Sequence, residues 1–498
     1  MTLLAHVSRL RSSHPSRVPA AGTLAALLGA MSLTACASLS GLSTSNHDAG
    51  KSDAATTKHD AATTEHDATS EAAPAPACTG DDAGYHDFTN EACWSTYELP
   101  SSVDPSPGYF GGTFDGRYVY VASRVDALVV RYDTQSSFTT AASWSSHDTS
   151  LIDGAGQEST PGYQGVVFDG RYVYLVPNNG LGGFVRYDST APFDSSSSWT
   201  VYVLDPPNSV AYSGGTFDGR YVYFAPTTGI DNYASGKLVR YDTTQSFANA
   251  SSWSSFDTLS LGSAAEPDAG DGGLGDGGLG DGGEDASGQI FTTRATGFFG
   301  AIFDGRYVYL VPFQVSFVIP RYDTTAPFGA ASSWELIDLA NTPNFDDNSL
   351  SAGAFDGTNL YIVPGTASNT AISFDVTKQF TSTSSWIDYS PPLTTESPFG
   401  MGAFDGRYIY YVPLADFEPG VTVAFVRYDS APGAGGFTDA VNWSSHNATH
   451  LNASGFGAAV FDGRYLYVAP FAGGAFARFD AKDVSAQPNL PHYFGSFF

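Results

Sequence analysis

The sequence is poor in positive charge. Lys and Arg together number 22 against 51 Asp and Glu, the formal net charge is −29, and only five lysines occur. An acidic surface of this kind repels phosphate backbones and anionic lipids, which argues against nucleic-acid binding and against docking on membranes through basic residues. The excess of carboxylates is expected to keep the protein soluble, and it would also suit metal ions or cationic partners.

Long apolar runs are scarce as well. After the N-terminal region, no stretch approaches the roughly 20 apolar residues that a membrane-spanning helix needs. Near the start, Arg9, Arg11 and Arg17 precede a short apolar segment at residues 20–32, which is typical of an export signal. The sequence LTAC that follows, ending at Cys36, resembles the bacterial lipobox, in which the Cys is lipidated and becomes the new N-terminus.

The lipobox resemblance implies a signal peptide at residues 1–35 and a protein held at the cell envelope by the lipid on Cys36. In a source with two membranes, Ala37 and Ser38 would suit delivery to the outer membrane. The alternative is an ordinary secretory signal that is cleaved nearby. In either case, the mature chain is expected outside the cytoplasm.

Cysteine is rare, and only Cys78 and Cys93 follow Cys36. Because an exported chain is oxidised, this pair is expected to form a disulfide rather than a metal site. Residues 36–84 are of low complexity, rich in Ala, Thr and Ser, and cannot bury a core. We therefore predict a disordered tether between the lipid and the folded part of the protein.

From residue 85 one pattern recurs about every 50 residues and defines the rest of the chain. Each repeat has a Phe-Asp-Gly triplet, then an aromatic run, then a Tyr-Asp or Phe-Asp pair, then a Trp. The aspartates of the triplets are Asp115, Asp169, Asp218, Asp304, Asp356, Asp405 and Asp462. The tryptophans, which are all seven in the protein, are Trp94, Trp144, Trp199, Trp253, Trp334, Trp386 and Trp443.

Each repeat is predicted to form four short antiparallel strands, with Asp-Gly as the tight turn between the first two. Seven such units without helical periodicity predict an all-β fold, a seven-bladed β-propeller over residues 85–498. The last repeat has Asp480 but no Trp after it, whereas Trp94 precedes the first triplet. An N-terminal strand at residues 92–99 is therefore expected to close the last blade beside residues 476–480.

The order of these motifs resembles kelch and galactose-oxidase-type propellers over residues 90–480. Kelch repeats end strand two with paired glycines, where this chain usually has a proline: Pro177, Pro226, Pro312, Pro364, Pro413 and Pro470. A galactose-oxidase copper site needs a Cys linked to a Tyr, and no Cys follows Cys93. The resemblance therefore implies a propeller architecture. Because the Cys is missing, we expect no copper site.

The interval between Asp218 and Asp304 is too long for one blade. Its surplus, residues 263–288, is rich in Gly and Asp with a period of five residues, which predicts a flexible acidic insertion. Calcium binding by this insertion is the second interpretation, and no other cofactor is expected.

Twelve of the fourteen arginines after Cys36 fall at two repeat positions, one after Asp-Gly and one before Tyr-Asp or Phe-Asp. Because strands two and three are antiparallel, Arg117 is expected across from Asp133, on the same face as Arg131. The repeated arginines are then structural ion pairs. The alternative is a ring of arginines that binds an anion.

Motifs for catalysis are missing: the sequence has no P-loop, no dinucleotide fingerprint, no Gly-x-Ser-x-Gly elbow and no sialidase box. His446 and His450 share one segment without a third metal ligand, and they are expected to be polar surface residues. No catalytic or metal-binding residue is therefore predicted.

One set of aromatic residues is the candidate ligand-binding site. Five residues before the Phe of Phe-Asp-Gly, six repeats have an aromatic side chain: Tyr109, Tyr163, Tyr212, Phe298, Phe399 and Phe456. This position begins the innermost strand near one mouth of the central channel, where aromatic rings could stack on sugars or grip a peptide. Packing between blades is the alternative.

The sequence thus predicts a monomeric binding module for a glycan or a protein ligand. The alternative is a hydrolase or lyase that acts on polysaccharide. A deep channel with converging Asp and Arg side chains from different blades would favour the enzyme.

Overall fold

The computed structural model describes residues 77–483, apart from residues 82, 105–107, 153–161, 179–182, 205–209, 230–233, 263–293, 314–315, 343–349, 366–369, 393–397, 415–423, 432–434, 448 and 454. The predicted signal peptide, Cys36, most of the tether and the insertion at residues 263–288 lie outside the described residues. None of the helices in the described ranges has the length and apolar character of a membrane span.

In these ranges 28 strands form seven four-stranded antiparallel sheets, which are the blades. Strand β1 is Trp94–Tyr97, and it belongs to blade 7. Blades 1 to 3 consist of β2 (Tyr109–Phe114), β3 (Tyr118–Ser123), β4 (Leu128–Asp133) and β5 (Trp144–Asp148); β6 (Tyr163–Phe168), β7 (Tyr172–Pro177), β8 (Phe184–Asp188) and β9 (Trp199–Tyr202); and β10 (Val210–Phe217), β11 (Tyr221–Gly229), β12 (Lys237–Asp242) and β13 (Trp253–Asp257).

Blades 4 to 7 repeat the same order of strands. They consist of β14 (Phe298–Phe303), β15 (Tyr307–Pro312), β16 (Val318–Asp323) and β17 (Trp334–Asp338); β18 (Leu350–Phe355), β19 (Asn359–Pro364), β20 (Ala371–Asp375) and β21 (Trp386–Tyr389); β22 (Phe399–Phe404), β23 (Tyr408–Pro413), β24 (Ala424–Asp429) and β25 (Trp443–Asn447); and β26 (Phe456–Phe461), β27 (Tyr465–Pro470) and β28 (Phe476–Asp480) with β1. The first strand of each blade contacts that of the next, and β2 contacts β26, so the blades form a ring.

Short 3-10 helices flank the tryptophan strands. They are Glu91–Cys93, Ala141–Ser143, Thr149–Leu151, Ser196–Ser198, Ala250–Ser252, Thr258–Leu261, Ala331–Ser333, Leu339–Asn341, Thr383–Ser385, Ala440–Asn442 and Thr449–Leu451. In every blade the Trp indole N–H donates to the carbonyl of a Phe six residues earlier, as from Trp144 to Phe138 at 2.9 Å. This bond satisfies the one polar atom of a buried ring, which is why each blade can bury its Trp.

The predicted closure is confirmed. Strand β1 pairs with β28 in antiparallel register, with Trp94 opposite Phe479 and Tyr97 opposite Phe476. The N-terminal strand therefore supplies the fourth strand that the last repeat lacks, and no strand-three edge of blade 7 is left unpaired there.

The Asp-Gly turns are alike in all seven blades. In blade 1, one oxygen of Asp115 accepts the backbone N–H groups of Arg117 and Tyr118, and the other accepts the Tyr120 hydroxyl at 2.7 Å. Gly116 has φ of 99°, a conformation that L side chains rarely adopt. We call the face of the ring that bears these turns the turn face, and the opposite face, where strand one begins and strand two ends, the mouth face.

The predicted ion pairs are present in six blades, on the turn face. Arg117 donates to both carboxylate oxygens of Asp133, and the other pairs are Arg171–Asp188, Arg220–Asp242, Arg306–Asp323, Arg407–Asp429 and Arg464–Asp480. The second arginine of the repeat contacts the next blade instead. Arg131 lies over the rings of Tyr118 and Phe193, each at 4.2 Å, and donates to the Tyr187 hydroxyl.

The Cys78–Cys93 disulfide is confirmed, with the two Cα atoms 4.7 Å apart. The chain just after Cys78 already contacts the end of the propeller, because Tyr85 bridges to Lys482. Lys482 is fully buried, and its ammonium donates to the Asp405 carbonyl at 2.6 Å. The disulfide thus fastens the closing strand to a segment that is itself packed on the last blades.

Candidate functional site

The six aromatic residues predicted to bind ligand are buried. None is more than 3% exposed: Tyr109, Tyr163, Tyr212, Phe298, Phe399 and Phe456. Each packs with side chains of the preceding blade, as Tyr109 does with Phe476 at 5.0 Å and Tyr212 with Phe184 at 5.3 Å. Their placement favours the alternative, packing between blades, and they present no ring face to a ligand.

A β-bulge directly after this aromatic position directs the next residue into the channel. In blade 1, Tyr109 pairs with Ser123 but Gly112 pairs with Val121, so Phe110 lies in the irregular stretch. A bulge interrupts the alternation of a strand and turns a side chain toward a different face. The same shift occurs in the first strand of every blade.

The channel is filled by aromatic rings at this level. Phe110 of blade 1 and Phe299 of blade 4 meet edge to face with ring centroids 5.1 Å apart, although blades 2 and 3 lie between them on one side of the ring. Phe299 also stacks on Phe313 at 4.3 Å, and Met401 of blade 6 belongs to the same cluster. Among the described residues, these rings therefore close the channel near the mouth face.

Seven residues lie on the mouth face at one repeat position, directly after the Ser or Pro near the end of strand two; in blade 3 this position is still within β11. We call them the mouth ring: Arg124, Asn178, Thr227, Phe313, Gly365, Leu414 and Phe471. Except for Gly365, all are half-buried. In five blades the backbone N–H of this residue donates to the carbonyl of a residue just before strand one. The backbone is thus largely the same from blade to blade, whereas the side chains differ.

Arg124 is the charged member of the mouth ring, and it belongs to neither repeat position of the other arginines. Its guanidinium carbon lies 5.0 Å from the Phe471 ring centroid. In the described part of the chain the guanidinium makes no hydrogen bond or ion pair, and its Nε is buried without a partner. Burial lowers the pKa of Arg124, because removing a cation from water disfavours the charged form.

The backbone of Arg124 is held by hydrogen bonds from its own blade and from blade 2. Its N–H donates to the Gly108 carbonyl at 2.8 Å, and its carbonyl accepts the side-chain amide of Asn178 from blade 2, also at 2.8 Å. Gly162 packs so closely that a Cβ there would lie 1.9 Å from the Arg124 carbonyl oxygen. The backbone of this arginine is therefore fixed by contacts that do not involve its charged group.

The expectation that His446 lies on the surface is wrong. Its ring is 6% exposed and stacks on Trp94 at 5.2 Å with an interplanar angle of 9°. His147 stacks on Trp199 in the same way. Both stand three residues after a Trp, where Phe256 and Tyr202 fill the equivalent place in other blades. Burial lowers the pKa of His446 to about 4, with a further contribution from the neighbouring His450, so the ring serves packing as a neutral group.

One group in the described residues has the spacing of a metal site, namely Cys78, His86 and Cys93. Both sulfurs belong to the disulfide, and the His86 Nδ1 lies 2.8 Å from the Asp480 carbonyl oxygen. A disulfide sulfur is not the thiolate that metal ions bind. We therefore assign this group to closure of the ring.

Fold and site together define the class of protein: a seven-bladed β-propeller with a filled channel and a varied ring of side chains at one mouth. No family model and no curated protein matches the chain, so the kelch-type repeats stay a prediction. Among solved structures, the chain is similar to the extracellular domain of BT3049 from B. thetaiotaomicron, at 11% identity and a TM-score of 0.43. That match covers 76% of this chain and 40% of the other.

Proposed function

We propose that this protein is an exported, lipid-anchored binding module whose mouth ring contacts a glycan. The observation that supports this most is the variation of the mouth ring on an otherwise repeated scaffold. Residues that repeat from blade to blade, such as those of the Asp-Gly turns, are accounted for by folding. Half-buried side chains that differ at one repeat position are not dictated by the repeated fold, and such a position is where a ligand can be specified.

The shape of the mouth favours a small polar ligand over a protein partner. The large apolar side chains exposed in the described residues belong to blades 1, 2, 5 and 6: Val125, Leu151, Val203, Ile387 and Val441. The core of a protein interface is a buried apolar patch, and residues spread over four blades do not supply one. A ring of half-buried side chains that includes an arginine, two aromatic rings and two small polar groups suits a sugar better.

Two further features support export. The disulfide between Cys78 and Cys93 is of a kind that persists in oxidising compartments. The lipobox-like sequence ending at Cys36 places the anchor before the tether. If Cys36 is lipidated, Cys36→Ala should release the protein from the membrane fraction without detergent. Membrane association that survives this substitution would contradict the anchor.

A pair of matched substitutions tests the binding face. Thr227→Trp places a large ring in the mouth ring, and Thr358→Trp places the same ring in an exposed turn on the opposite face. On a glycan array, the wild-type protein and Thr358→Trp should bind the same glycans, and Thr227→Trp should lose them. Equal binding by the two variants, or no glycan bound by the wild type, would contradict the proposal.

A further inference from the structure

We propose that Arg124 binds a carboxylate of the ligand, so that the mouth ring selects acidic glycans, those that contain uronic acids. This inference rests on the proposed function and names the class of glycan. It starts from the contrast between Arg124 and the arginines of the repeat. Those arginines bind Asp or Glu carboxylates or the hydroxyls of Ser and Tyr, whereas the Arg124 guanidinium has no such partner in the described residues.

A half-buried cation without a partner is unusual in a folded protein, because burial is costly for a charge that is not compensated. In most proteins a neighbouring carboxylate compensates it. In the part of the chain that the structure describes, no carboxylate raises the pKa of Arg124, and burial lowers it. An anionic group supplied by a ligand would restore the missing partner.

The geometry leaves Arg124 ready for such a group. Its Nε is sealed from solvent, but the two terminal nitrogens are neither buried nor hydrogen-bonded to the described residues. The Phe471 ring supports one side of the guanidinium, and bonds from Gly108 and Asn178 fix the backbone. A held guanidinium presents a planar fork of N–H donors, and a carboxylate matches that fork with its two oxygens.

Because the protein as a whole is strongly acidic, binding of an acidic ligand at the mouth ring depends on Arg124. With a net charge of −29, the protein repels anions at long range. A ligand with one or a few carboxylates can bind only where a local cation outweighs that repulsion. Polyanions with dense phosphates would need several cations, and the mouth ring has one. Uronic acids carry one carboxylate on each sugar, so a single arginine can pair with the sugar at the mouth.

Titration calorimetry on the mature, detergent-extracted protein tests the inference. The probes are trimers of galacturonic, glucuronic and mannuronic acid, each compared with its methyl ester, and an acetylated triglutamate peptide as a carboxylate from another source. Arg124→Gln removes the charge at the mouth, and Arg124→Lys keeps the charge but not the fork. Arg117→Gln removes the same charge from an exposed pair on the turn face and serves as the control.

We expect at least one uronic-acid trimer to bind and its ester to bind at least ten-fold more weakly. Arg124→Gln should weaken binding of the acid by about 10- to 100-fold, as expected for loss of charge-assisted hydrogen bonds, and Arg124→Lys by less. Arg117→Gln should bind like the wild type. Melting curves establish that each variant is folded.

Any of four results would overturn the inference. The first three are equal binding of acids and esters, unchanged binding by Arg124→Gln, and an equal loss in Arg117→Gln. Binding of the peptide alone would also overturn it and would indicate a protein partner. Failure here is distinguishable from failure of the proposed function, because a neutral glycan that is lost in Thr227→Trp but kept in Arg124→Gln leaves binding at the mouth intact.

Discussion

The two faces of this propeller are made from the same seven repeats, yet they differ in how closely the repeats agree. On the turn face, every blade has an Asp that accepts two backbone N–H groups and a Tyr hydroxyl. On the mouth face, the residue at the mouth-ring position ranges from Gly to Arg. The difference separates the requirements of the fold from those of a ligand.

Repetition on the turn face has a physical cause. Each blade must make the same tight turn between its first two strands, and Asp-Gly meets that need in the same way each time. The mouth ring is under a looser constraint, since its shared bond comes from the backbone and does not require one side chain, although the Asn178 and Thr227 side chains also donate to carbonyls. Agreement between blades thus indicates a structural role, and disagreement indicates a place where the chain can specify a ligand.

The contrast between the faces depends on a closed ring, and removing the closing strand should have the largest effect. A chain that begins at residue 105 lacks Trp94–Tyr97 and leaves strand β28 with an unpaired edge. It should aggregate or unfold, whereas a chain that begins at Tyr85 should fold. Circular dichroism and size-exclusion chromatography distinguish the two. Equal thermal stability of both chains would rule out this closure.

Within the closed ring, the turn aspartates should matter most. Asp115→Ala removes the acceptor of two N–H groups and leaves the buried Tyr120 hydroxyl without a partner. We expect a loss of about 3 kcal/mol in the free energy of unfolding, measured with urea. Asp115→Asn keeps one carbonyl oxygen for the N–H groups and should lose less. If both variants matched the wild type, the repeated turns would not be structural.

The buried histidine gives a smaller effect that depends on pH. The folded state holds His446 neutral down to a pKa of about 4, whereas the unfolded chain binds a proton near its ordinary pKa of about 6.5. The unfolded state therefore binds more protons between these values, and stability falls as the pH drops from 6.5 to 4.

His446→Phe, which copies the arrangement of Phe256 in blade 3, should remove this dependence. The variant should gain about 2 kcal/mol over the wild type at pH 4 compared with pH 7. Urea unfolding at both pH values measures the gain, and Thr358→Ser on the turn face is a neutral control. A difference between variant and wild type that stays constant with pH would show that His446 does not titrate as proposed.

Much of the fold could be predicted from the sequence because its determinants are local or repeat. Counting Phe-Asp-Gly triplets and Trp residues was enough to find the blades and the missing strand. The position of Asp133 opposite Arg117 follows from antiparallel pairing alone. The disulfide followed from the scarcity of cysteine in an exported chain.

The mouth could not be predicted in the same way. Tyr109 and its equivalents were expected at the channel because they begin the innermost strand, but a bulge gives that direction to Phe110 instead. The contact between Phe110 and Phe299 joins residues far apart in sequence, and the curvature of the whole ring decides it. Arg124 could have been found, since it is one of only two arginines after Cys36 that lie outside the repeat positions.

The central claim, that the mouth ring serves a ligand and the turns serve the fold, is tested most directly by urea unfolding of Arg124→Ala beside Asp115→Ala. Both residues belong to blade 1. The account predicts that Arg124→Ala changes the free energy of unfolding by no more than about 0.5 kcal/mol, because its guanidinium makes no hydrogen bond or ion pair with the described residues and loses only its contact with Phe471. A loss of about 3 kcal/mol or more, equal to that of Asp115→Ala, would contradict it and make Arg124 part of the scaffold.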